Sequence, residues 1–162
     1  MGEIIQFGDI SKRKLADNNA VDGNFIQVMF YTNELDVVHR VCEKYKPVNE
    51  EYTVKWIAFG ALSEAIEDII SEETSESFLA APEVPMCTHI LEIDVYIDAF
   101  TKEIEIRNLS PKELSILERI RKRLKEFRDL CENNLSSYAM MSEYDRTTIL
   151  ADDWIKYNEK SS

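Results

Sequence analysis

The stretch "HILEIDVYID" (His89–Asp98) decides how this chain is read. Leu91, Ile93, Val95 and Ile97 alternate with Glu92, Asp94, Tyr96 and Asp98. A period of two puts the first set on a buried face and the second in water. "AFT" (Ala99–Thr101) then turns the chain, and "KEIEIR" (Lys102–Arg107) repeats the alternation with Ile104 and Ile106 inward. Residues 89–107 are therefore predicted to form an antiparallel hairpin.

Upstream, "NFIQVMFYT" (Asn24–Thr32) is nearly continuously apolar and β-prone, and it reads as a buried strand. A helix is the alternative in so short a run. "SEETSESFLAAPEVP" (Ser71–Pro85) reads as a loop closed by Pro82 and Pro85. Between them, "ELDVVHRVCEKY" carries Leu35, Val38, Cys42 and Tyr45 at helical spacing, with Thr32 or Asn33 as the expected cap. A second helix is expected from about Glu51 to Ser71, where Val54, Ile57, Ala58, Ala61, Leu62, Ala65, Ile66 and Ile69 keep a 3.6-residue period.

Downstream, Ser110 as N-cap, Pro111 at the first helical position and Glu113 two residues later announce a third helix through a capping box. Its seam is Leu117, Ile120, Leu124, Phe127 and Cys131. The tail is expected to add a short helix near Thr148–Tyr157 that docks through Trp154. Residues 1–22 are polar and rich in Asp, Asn and Gly, which predicts a loosely ordered arm. Residues 23–162 then form a single α+β domain: a small antiparallel sheet (hairpin 89–107 plus a strand near 24–32) against three or four helices.

The chain has 162 residues, enough to bury a core without staples. Its three cysteines, Cys42, Cys87 and Cys131, are an odd set without repeated spacing, which points to free thiols in a reducing cytoplasm. No apolar run reaches the roughly 18 residues a membrane helix needs. His39 with Cys42, and Cys87 with His89, could hold zinc if their elements met, but the spacing fits no zinc signature and core packing is the simpler role. No phosphate-binding glycine loop, nucleophile elbow or metalloprotease motif occurs. No catalytic, cofactor or metal residue is therefore expected, and the protein reads as no enzyme.

What remains is charge. The formal net charge is −12, yet "RIRKRLKEFR" (Arg119–Arg128) holds six basic residues in ten. From Lys112 to Arg128 seven basic and three acidic residues leave +4, so the remainder carries −16. From Glu64 to Glu83 there are seven acidic residues and no basic one. Two interaction surfaces follow. The first is the acidic stretch, with Glu64, Glu67, Asp68, Glu72, Glu73 and Glu76 binding the basic surface of another protein. The alternative is a nucleic-acid grip by Arg119, Arg121, Lys122, Arg123, Lys125 and Arg128, helped by "KRK" (Lys12–Lys14); the −16 field and the want of stacking aromatics on the helix weaken it. The basic face could also meet acidic groups of the same chain or of a second copy. In size and charge alone, the chain resembles small acidic phage proteins that imitate phosphate spacing and inhibit nucleic-acid enzymes. A small acidic cytoplasmic protein-binding protein, a phage or mobile-element accessory or an inhibitor of nucleic-acid machinery, is the leading expectation.

Overall fold

The computed structural model describes residues 24–48, 53–72, 83–106 and 108–161. The arm expected at 1–22 lies outside the described residues. Strand β1 (Phe25–Tyr31) leads through a 3-10 turn (Thr32–Glu34) into α1 (Leu35–Tyr45), followed by α2 (Val54–Glu72), strand β2 (Glu83–His89), α3 (Ile90–Ile104), α4 (Pro111–Leu130), α5 (Glu132–Ser136) and α6 (Glu143–Ser161). Among the described residues the protein is mostly helical with one small antiparallel sheet, the expected α+β class.

The sheet is not the one the alternation implied. β1 stands where a strand was expected, but its partner is β2, in a register running from Phe25 opposite His89 to Tyr31 opposite Glu83. Residues 90–104 of the expected hairpin are helix α3 instead. The reason is local. His89 ends β2 and caps the helix, its Nδ1 accepting the Leu91 amide at 3.1 Å while the His89 amide donates to Glu92 Oε1 at 3.1 Å. Two of the orphan donors at a helix start are thereby satisfied. Beyond the cap, Glu92, Tyr96, Ala99, Phe100 and Glu103 are buried at helical spacing, and Asp94, Asp98 and Lys102 face water. Asp98 and Lys102 form an i, i+4 ion pair of 3.0 Å. Glu92, expected in solvent, is fully buried, while Val95 and Ile97, expected inside, are half-buried.

Pro85, expected to close a loop, lies within β2 opposite Met29. A two-stranded sheet leaves each strand one unpaired edge, and there a proline removes no ladder bond. The helices keep closer to expectation. Ser110 Oγ accepts the Glu113 amide at 3.2 Å, and Glu113 itself turns to Arg40 at 3.4 Å, tying α4 to α1. Thr32 and Asn33 do not cap α1; they form the 3-10 turn, and Glu34 occupies the cap position.

The main core cluster lies between the sheet and α1–α4, with Val38, Ile66, Tyr96, Phe100, Leu117 and Leu124 sealed from water. The Tyr96 hydroxyl donates to the Ala58 carbonyl at 2.8 Å, fixing α3 on α2. A second cluster forms where α6 docks. Trp154 is fully buried there, and its ring meets Phe25 edge-on at 4.8 Å. A residue so enclosed carries about 3–5 kcal/mol when truncated to alanine. Ile90, Ile93 and Cys131 make a third, smaller cluster.

Candidate functional site

The basic helix α4 meets the rest of the protein through Arg123. Its two Nη atoms donate to the two oxygens of Glu34 at 2.9 and 3.1 Å, and one of them also reaches the Met29 carbonyl at 2.9 Å. The guanidinium lies over the Tyr31 ring, 4.9 Å from its centroid. Glu34 is 0% exposed and additionally accepts the Tyr31 amide at 2.9 Å. Arg119 adds a second cation 3.5 Å from the same carboxylate. A planar guanidinium offers the two parallel donors that a carboxylate accepts, and a desolvated carboxylate is tolerable only with such partners. The junction of β1 and α1 is thus pinned to α4 by charge.

Arg128 is also engaged, donating from Nε to Asp94 on α3 at 2.5 Å, which raises the guanidinium's affinity for its proton. The structure therefore brings Arg119, Arg123 and Arg128 onto carboxylates of the same chain. Arg121, Lys122 and Lys125 make no ion pair among the described residues; Lys122 and Lys125 are exposed and Arg121 half-buried.

The acidic stretch divides differently. Glu64, Glu67 and Asp68 lie on the outer face of α2, with Glu67 and Asp68 exposed and Glu64 half-exposed. Glu72 ends that helix, and Glu73 and Glu76 lie outside the described residues. Glu67 meets His39 of α1 at 2.9 Å, and Glu43 lies 3.7 Å from the same imidazole nitrogen while accepting the Ser63 hydroxyl at 2.5 Å. One nitrogen and two carboxylate oxygens here fall within 4.8 Å of one another. They are the described residues best placed to hold a metal ion. Three ligands with two exposed carboxylates fall short of the closed four-ligand set of a structural zinc site.

The four zinc candidates raised by the sequence do not converge. Cys42 is buried in the main cluster and Cys87 in the second. His39 faces Glu43 and Glu67, whereas His89 Nε2 lies 2.8 Å from Asp153 Oδ2 on α6. Because Nδ1 of His89 accepts the Leu91 amide, Nε2 carries the proton and donates it to Asp153. The imidazole and the Asn24 side chain, which donates at 3.0 Å, hold the Asp153 carboxyl below the usual carboxylate range despite partial burial. Both ring nitrogens are occupied and the ring is wholly buried, so His89 is a structural link between β2, α3 and α6 rather than a free base.

In the sequence Glu34 is one acid among many at a helix start, and Arg123 is one of six cations in Arg119–Arg128. No local signal joins positions 89 residues apart. Among the described residues no helix is long and apolar enough to cross a membrane. The chain matches no family model, no curated protein and no solved structure.

Proposed function

We propose that this is a non-enzymatic interaction protein of the cytoplasm that binds the basic surface of another protein through the acidic face of α2. An accessory protein of a phage or mobile element that blocks nucleic-acid machinery would have this size and charge. One observation carries the reading: half of the basic residues in Arg119–Arg128 are engaged by Glu34 and Asp94. The acidic surplus outside that helix is left to face solvent at Glu64 and Asp68, which form no ion pair among the described residues. Exposed charge of one sign speeds encounter with an opposite surface and selects against like-charged partners.

The test is affinity capture from the source cell in parallel with a Glu64→Lys/Asp68→Lys variant, followed by binding assays of any captured protein at two salt concentrations. A partner with a basic surface, lost with the variant and weakened by salt, supports the reading. A partner retained equally by the variant overturns it. The same captures run after nuclease treatment identify nucleic acid as the ligand if the signal disappears.

A further inference from the structure

At the other end of α2, roughly 15–21 Å from Glu64 and Asp68 at 1.5 Å per residue, a cleft of about 620 Å³ opens beside α3 and the connection from α4 to α6. Its volume falls in the range that holds a small organic ligand. Leu91, Val95, Leu135 and Tyr138 give it apolar walls. Its charges are unevenly engaged. Asp94 is taken by Arg128, and Glu143 accepts the first amide of α2, that of Val54, at 3.2 Å. Glu132 is exposed at the rim.

Two cations of the cleft have no such partner among the described residues. Arg146 of α6 lines the cleft, half-buried, and forms no ion pair among the described residues. Lys55 lines the same cleft in the first turn of α2 and forms no ion pair among the described residues.

We infer that this cleft is a binding site for a small organic carboxylate, its head on Arg146 and Lys55 and its apolar body against Leu91, Val95 and Leu135. The fork of a guanidinium matches a carboxylate in shape. A single negative charge suits the site better than a phosphate dianion, since Glu132 and Glu143 also border the cleft and the chain as a whole carries −12. The inference stands independently of the protein-binding reading, which concerns the opposite end of α2.

Isothermal titration of the full chain with 3-phenylpropionate, with its neutral amide and with inorganic phosphate tests it. Saturable one-to-one binding of the carboxylate is expected, at least about tenfold tighter than the amide or phosphate. Arg146→Met, which keeps the apolar stem, should weaken carboxylate binding by about tenfold or more, and Arg146→Lys should restore only part of it. Far-UV circular dichroism establishes that each variant is folded, and Lys55→Met provides a surface variant with the same expected direction. Equal binding of amide and carboxylate, phosphate binding as tightly, undiminished binding by folded Arg146→Met, or no binding by about 10 mM carboxylate would each overturn the site.

Discussion

Glu34 and Arg123 form a two-pronged ion pair that joins the start of α1 to the middle of α4, with the carboxylate entirely out of water. Removing Arg123 takes away both prongs and leaves the buried carboxylate only the longer contact with Arg119 and the Tyr31 amide. Arg123→Met is therefore expected to cost about 3–5 kcal/mol in urea unfolding. A Glu34→Leu/Arg123→Met double variant should recover much of that loss, since apolar residues of similar volume can replace a buried pair with little net change. A double variant as unstable as the sum of its singles would show that the pair contributes no coupling.

Helix α3 makes Glu92 and Asp94 unlike, although two-residue alternation makes them equivalent. Glu92→Ala removes a buried cap and should cost about 1–2 kcal/mol. Asp94→Ala removes a half-exposed pair with Arg128 and should cost less than about 1 kcal/mol. Ile93→Ala, at a fully enclosed position, should cost about 2–5 kcal/mol, and Ile97→Ala distinctly less. Thermal unfolding of the four variants measures the contrast, and equal losses at 92 and 94 would contradict the helix.

Two groups shape the pH dependence of stability. Asp153 is held below its ordinary value of 3.8, chiefly by its hydrogen bond with His89. Its contribution is present above that value and is lost as pH falls through the lower folded one. Tyr45 behaves oppositely: burial first, then the hydrogen bond it donates to Glu103, push its hydroxyl from 10.0 to about 12. Stability should hold below pH 10 and decline as pH rises towards 12. In urea titrations across pH, Asp153→Asn should flatten the acid limb and Tyr45→Phe the alkaline limb.

For nucleic acid, the informative residues of α4 are those with no carboxylate partner among the described residues. An Arg121→Glu/Lys122→Glu/Lys125→Glu variant should fold, because Arg119, Arg123 and Arg128 keep the internal pairs. Fluorescence anisotropy with labelled DNA and RNA at about 150 mM salt is expected to show no submicromolar binding by the parent protein. Tight binding abolished by the triple reversal would assign α4 to nucleic acid instead.

Much of the helical frame was legible because its signals are local. The 3.6-residue seam of α4 and the Ser110–Pro111 start fix that helix, and Trp154 marks the docking of α6. The α3 reversal arose because Ile90, Ile93, Ile97, Phe100 and Ile104 lie at helical spacing inside a run that also alternates. The deciding residue was His89, whose imidazole caps the helix although Ser, Thr, Asp and Asn are the usual caps. β2 was hidden by Pro85, which is admissible there because the strand has an unpaired edge. At the site, charge segregation could be counted from sequence, but the choice of Arg123 as the partner of Glu34 depends on folding.

The three cysteines apportion the interior: Cys42 in the main cluster, Cys87 in the second, which also holds Trp154, and Cys131 with Ile90 and Ile93. All three are buried, and burial pushes the Cys131 thiol up. The molecule thus carries three native reporters of local opening, each silent to a thiol reagent while its own cluster stays closed. Their separate labelling rates form a clock of which part of the fold breathes first, readable by mass spectrometry without adding a probe.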